Sequence, residues 1–127
     1  MAARTDHVKI LAWGAGIVLG LAVLGIAAIF VSIDVGITKQ KQQAMARFPG
    51  RDPSQALIEL VDCEKCRLTE RNRAVWALGQ IREQRALPVL YKYFYDGPCN
   101  HEKFICQHEL RKALKCIEGS PPVHARR

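Results

Sequence analysis

The chain has 127 residues and a formal net charge of +7, with 19 Lys and Arg against 12 Asp and Glu. Its basic residues are interleaved with acidic ones and no run exceeds two like charges, so the composition describes a solvated surface and not a nucleic-acid footprint. A chain this short leaves room for one small domain beside any targeting or anchoring segment.

The first nine residues read as a short N-terminal tail. Ile10–Ile33 follows without a single charge, closed by Lys9 and Asp34. At 1.5 Å per residue these roughly 24 residues span about 36 Å, enough to cross a hydrocarbon core of about 30 Å with some tilt. Leu, Ile, Val, Ala and Gly recur at every phase of the turn, so the segment has no polar face to lay on a soluble core. A cleaved signal would have an apolar core of about 7–15 residues followed by small residues. This run is longer and ends in Phe30-Val31-Ser32-Ile33, which favours an uncleaved transmembrane helix over residues 10–33. The flanking charges are nearly balanced, Arg4 and Lys9 against Lys39, Lys41 and Arg47. Lys9 and Asp34 at the helix ends tip the balance toward a cytoplasmic N-terminus. The C-terminal domain is then expected outside the cytoplasm, at the cell (inner) membrane. Gly16 and Gly20 form a GxxxG pair on a stripe with Ala12 and Ala28, the spacing that lets two membrane helices dock.

Residues 34–51 are polar and Gln-rich, and read as a helical stalk broken by Pro49-Gly50. The domain is expected over residues 52–119. Asp52 caps a first helix with Pro53 at its first position. Thr69 caps a second, with Ala74, Val75, Ala77, Leu78 and Ile81 on its face. A third runs from about Arg85 to Tyr95, and a fourth from about Glu102 to Glu118, ended by Gly119 and Pro121-Pro122. Residues 120–127 are a tail. No segment alternates like a strand, so the class is all-α.

The helices repeat. Ala56-Leu57-x-x-Leu60 matches Ala86-Leu87-x-x-Leu90, and Ala77-Leu78-x-x-Ile81 matches Ala113-Leu114-x-x-Ile117. Two-helix units of roughly 30–40 residues are the signature of an α-solenoid, here of two hairpins. Asn72-Arg73-Ala74-Val75-Trp76-Ala77-Leu78-Gly79-Gln80-Ile81 followed by Arg85-Ala86-Leu87-Pro88-Val89-Leu90 resembles a HEAT repeat of the short bacterial type also found in phycobilisome lyases. The resemblance extends over residues 54–118 and weakens in the last helix, where Lys115 stands in place of Gly79. It implies a protein-binding or scaffold module. Lyase activity is not carried over, because no lyase-specific residue is identifiable.

Two hairpins are fewer than the three a repeat stack usually needs, so further support is expected from a cross-link, a metal or a partner. Cys63, Cys66, Cys99 and Cys106 are expected to converge on one edge, where the turns after the first and third helices stack. Outside the cytoplasm they would form two disulfides; four cysteines allow three pairings, of which those joining Cys63 or Cys66 to Cys99 or Cys106 are favoured, and unlinked thiols are the plain alternative. Closing loops of about 35–40 residues would contribute roughly 3–4 kcal/mol. In the cytoplasm they would bind zinc, with His101 or His108 as substitute ligands. Zinc ranks second, because Cys99-x6-Cys106 is an unusual ligand spacing. Cys116 lies beyond the cluster and reads as a small buried hydrophobe.

Trp76, Tyr91 and Tyr95 are candidate partner contacts. The chain has no nucleophile motif, phosphate loop, paired-carboxylate site or haem signature, and no catalytic residue is assigned. These readings converge on a non-catalytic accessory module, anchored in the lipid bilayer and contacting other membrane-complex subunits or itself. The alternative is a membrane-anchored metal-binding or redox-active cysteine protein.

Overall fold

A computed structural model describes the backbone of residues 2–119 and the side chains from residue 6; the tail at 120–127 lies outside the described residues. The described residues form five α-helices and no strand: α1 (Ala2–Arg47), α2 (Pro53–Asp62), α3 (Leu68–Gln80), α4 (Leu87–Tyr93) and α5 (Gln107–Glu118), with a 3-10 turn at Gln84–Ala86. They divide into two compact units, Met1–Val35 and Gly36–Arg127.

The first unit is helical from Ala2, so residues 2–9 continue the apolar helix instead of forming a separate tail. The helix is long and apolar enough to cross a membrane. Its large apolar side chains stand free, from Ile26 at 55% exposed to Trp13 at 77%. The one hydroxyl in the apolar stretch, Ser32, donates to the Ala28 carbonyl at 2.8 Å, which satisfies it without a solvent partner.

The second unit begins at Gly36, so the segment expected as a free stalk belongs largely to the domain. Gln40 and Ala44 are buried, and Met45 and Phe48 pack against the core. The physical reason is spacing: Gly36, Gln40, Ala44 and Phe48 recur every four residues and make one narrow stripe on an otherwise polar helix. A Cβ on Gly36 would lie 3.2 Å from the Trp76 ring, so the missing side chain is what lets the indole approach.

Asp52 caps α2 as expected, accepting from the Ser54 and Gln55 N–H groups at 3.0 Å each. Two expected helix starts move. Thr69 does not cap α3, which begins at Leu68 directly after the Cys63–Cys66 turn. The last helix begins at Gln107 and not near Glu102, so Cys106 is its N-cap and not a residue inside it. The Asn100 side chain accepts from Glu102 N–H, and its carbonyl accepts from Lys103 and Phe104 N–H. This local turn takes the backbone groups that a longer helix would have used. Gly119, at φ 73°, closes α5 in the left-handed conformation.

The repeat positions are structurally equivalent. Ala56, Ala77, Ala86 and Ala113 are all buried; of the leucines that follow them Leu57, Leu78 and Leu114 are fully buried, whereas Leu87 is only half-buried. α2 packs on α3, α4 on α5, and α3 on α5. The last of these interfaces is tight, because Gly79 faces the backbone of Ala113.

The two hairpins are also tied at their entrances. Arg85 meets Asp52 at 3.1 Å and Glu83 at 3.0 Å. Glu83 also accepts from the Arg85 backbone N–H, and with the guanidinium beside it the carboxyl is pushed down to about 2 from 4.5. A carboxylate with a lowered folded-state pKa adds stability that is complete above its unfolded value and is lost as pH falls through the folded one. Thermal unfolding of the full chain in mild detergent should therefore show wild type melting above Glu83→Gln near pH 6. The gap should close progressively between about pH 4.5 and pH 2. High salt should narrow the same gap, since the pair is partly exposed.

Candidate interaction face and cysteine sites

Arg71 is buried within α3, at 7% exposure. Its Nε donates to the Val61 carbonyl at 2.8 Å, closing the C-terminal end of α2, and its guanidinium lies 4.8 Å from the Tyr93 ring centroid. Its Nη2 is buried without a hydrogen-bond partner. Tyr93 in turn donates to Asp62 at 2.8 Å, and Lys92 meets the same carboxylate at 2.6 Å. The Lys92 ammonium, with the Tyr93 hydroxyl, holds the Asp62 carboxyl below its ordinary range. The ends of α2 and α4 are thus locked side by side.

A cleft of about 680 Å³ opens beside this lock, lined by Glu64, Arg71, Tyr93, Tyr95, Lys103, Phe104 and Ile105. Phe104 is 54% exposed and meets Tyr95, 44% exposed, edge to face at 6.4 Å between centroids. Gln107, behind the lining residues, holds their backbone in place. Fully buried, it accepts from Tyr95 N–H at 2.9 Å and donates to the Tyr93 and Ile105 carbonyls at 3.0 and 3.2 Å. The α4–α5 loop is therefore pinned at both ends by one amide.

The expected partner residues separate. Tyr95 borders this cleft. Tyr91 instead donates to the Glu118 carboxylate at 2.8 Å, and burial pushes its phenol up to about 12. Trp76 is half-buried against Gly36 and lines a different cleft, of about 460 Å³, with Gly79, Arg82, Lys112 and Cys116. Phe104, Arg71 and Gln107 carry no signal in the sequence. Phe104 falls in the first turn of the expected fourth helix, a turn the structure replaces with a loop, and a buried Arg or Gln reads as surface in a one-dimensional scan.

The cysteines form pairs within each turn and not between hairpins. Cys63 and Cys66 are joined by a disulfide. Residues three apart in a tight turn, with Cα atoms 5.4 Å apart, meet without any contribution from the second hairpin. Cys99 and Cys106 face each other with their sulfurs 3.1 Å apart. His101 joins them, the three ligand-type atoms all lying within 4.8 Å of one another. His108 contributes its backbone N–H to the Cys99 sulfur at 3.3 Å. Both turns border the same cleft, through Glu64 and Lys103–Ile105, so one face carries the two pairs. Cys116 is exposed, against the expectation of burial, because it lies on the outer side of α5 from Leu114 and Ile117. A Cβ added at Gly16 or Gly20 would meet nothing within 4 Å outside its own helix turn among the described residues.

Residues 70–96 match the family model of the PBS lyase HEAT-like repeat. The match covers α3, the 3-10 turn and α4, the second helix of one hairpin and the first of the next. No curated protein and no solved structure matches the chain. The HEAT-like repeat thus holds the central residues of the cleft, Arg71 and Tyr93, together with the tight Gly79 position. Modules of this kind are protein-interaction scaffolds in general.

Proposed function

We propose that this chain is a single-pass membrane protein that presents its HEAT-like domain outside the cytoplasm as a non-catalytic binding module, an accessory subunit of a membrane complex. The observation that carries the reading is the Phe104–Tyr95 cleft. Two exposed aromatics stand at the mouth of a depression floored by a buried arginine, with Lys103 at its rim. Interface hot spots draw on aromatic and arginine side chains in such a setting, where one anchor desolvates against a rigid wall. The apolar helix supplies the membrane address, and its Gly16/Gly20 stripe is a second surface for another subunit or a second copy. The disulfide at Cys63–Cys66 supports the extracytoplasmic placement, since such bonds persist in oxidising compartments.

Affinity purification from gently solubilised membranes tests the reading. Phe104→Ala touches no helix and should leave folding intact, yet it should lower recovery of the co-purifying subunit by tenfold or more, the scale of a single hot-spot residue. Equal recovery with Phe104→Ala would move the contact elsewhere. Equal recovery after deleting residues 1–33 would remove the anchor from the interface.

A further inference from the structure

The pair Cys99 and Cys106 is not used by the binding reading, and its surroundings differ from those of the other cysteines. Cys99 is exposed, in the loop that follows Pro98, while Cys106 is buried at 5% exposure. The buried partner is fixed: its backbone N–H donates to the Asn72 side chain of α3 at 2.9 Å, and it is the N-cap of α5. The exposed partner is served by donors. The Cys99 sulfur receives the His108 N–H from the first turn of α5, and it lies 3.1 Å from the Cys106 sulfur. A helix N-terminus favours a thiolate over a thiol, and an exposed thiolate is the attacking species in thiol–disulfide exchange.

We propose that Cys99 and Cys106 are a reactive dithiol, in which Cys99 attacks the disulfide of a thiol oxidant and Cys106 resolves the mixed disulfide. The Cys99 thiolate attacks one sulfur of the oxidant R–S–S–R, forming Cys99–S–S–R and releasing one R–S⁻. Cys106, losing its proton, then attacks the Cys99 sulfur. This forms Cys99–S–S–Cys106 and releases the second R–S⁻. Two electrons pass from the protein pair to the oxidant; the Cys99 proton has already left to solvent as its thiolate forms, and the Cys106 proton ends on a departing thiolate or in solvent. The oxidant is a low-molecular-weight or protein disulfide, reached through the open side of Cys99. His101 belongs to the same cluster, its ring nitrogen within 4.8 Å of both sulfurs.

The asymmetry of the two thiols fits these roles. Hydrogen bonds from Cys106 and from the α5 amides hold the Cys99 thiol below its ordinary range. Burial, ahead of the contact with Cys99, pushes the Cys106 thiol up. Oxidation would close residues 99–106 into a covalent loop that contains Phe104, joining the redox state of the pair to the shape of the cleft wall.

The test uses the full chain in detergent, carrying Cys116→Ser so that the exposed third thiol does not react. Reduced protein is treated at neutral pH with iodoacetamide, or separately with oxidised glutathione, and the products are assigned by peptide mass mapping. Cys99 should be alkylated at least tenfold faster than Cys106. With oxidised glutathione the chain should reach the Cys99–Cys106 disulfide without accumulating adduct. Cys106→Ala should instead retain glutathione on Cys99, and the alkylation ratio of the intact pair needs no variant that could misfold. Equal alkylation rates, or adduct that accumulates on Cys106, would overturn the proposal. So would a pair that stays oxidised under a reducing glutathione buffer, which would make it a structural cross-link. Stoichiometric zinc that must be chelated before Cys99 reacts would also overturn it, in favour of a Cys99–His101–Cys106 metal centre.

Discussion

Replacing Gly79 with valine is expected to destabilise the domain by about 3 kcal/mol or more, a large share of the roughly 5–15 kcal/mol that holds a small domain together. A Cβ at this position would lie 2.8 Å from the Ala113 Cα and 3.0 Å from the Ala113 Cβ. The first of these neighbours is backbone, which cannot rotate away, so α3 and α5 would have to separate where they pack most closely. Alanine tests the argument because two effects oppose each other. It gains about 1 kcal/mol of helix propensity over glycine and loses about 1–3 kcal/mol to overpacking. Gly79→Ala should therefore fall between neutral and about 2 kcal/mol destabilised. Valine is bulkier and β-branched, so it keeps the clash and forfeits most of the propensity gain. Ala113→Gly should rescue Gly79→Ala only in part, because it removes the opposing methyl group and leaves the main chain at 113 just as close. Chemical unfolding followed by helicity measures all three. Valine within about 0.5 kcal/mol of wild type, a difference ordinary for an exposed site, would show that the two helices are not in register at this position.

The second large effect concerns the anchor. Leu21 and Leu24 lie near the middle of the Ile10–Ile33 run and are 64% and 67% exposed. Each Leu→Arg change at a helix centre costs about 3–4 kcal/mol on an insertion scale, and the pair about 6–8 kcal/mol. The double variant should leave the carbonate-resistant membrane fraction, where the wild type should remain with its N-terminal residues intact by mass. A wild-type chain that is carbonate-extractable, or that has lost residues 1–33 by processing, would sink the anchor and leave a cleaved signal in its place. The domain should still fold in the double variant, because the substituted residues lie outside the compact unit that begins at Gly36.

The regular parts of this molecule are legible in one dimension because their physics is periodic. Asp52-Pro53 marks the start of α2, Gly119 marks the end of α5, and the paired Ala-Leu steps mark the buried seam of both hairpins. The polar segment 36–48 reads as a stalk because the residues that face the domain fall mainly on one narrow stripe. A stripe containing Gly36 and Gln40 carries too little hydrophobicity to register. The late start of α5 is hidden for a related reason: whether Glu102 and Lys103 continue a helix depends on Asn100, whose side chain captures the local amides.

The sites divide along the same line. Composition and spacing determined that the chain has a membrane-length apolar helix and an all-α domain of repeated helical hairpins, with Cys63, Cys66 and Cys99 after its first and third helices; the HEAT-like repeat entered as a resemblance of residues 72–90. Those properties depend on residue type and period, which the sequence states directly. Which cysteines meet, that Cys116 faces out, that Phe104 and Tyr95 frame a cleft, and that Arg71 and Gln107 hold its walls were decided only in three dimensions. The Cys63–Cys66 pair closes within its own turn, but the cleft and the Cys99–Cys106 pair depend on loop paths and on hydrogen bonds between different elements, such as Asn72 with Cys106 and Arg71 with Val61. No local pattern encodes a contact whose two halves arrive on different helices.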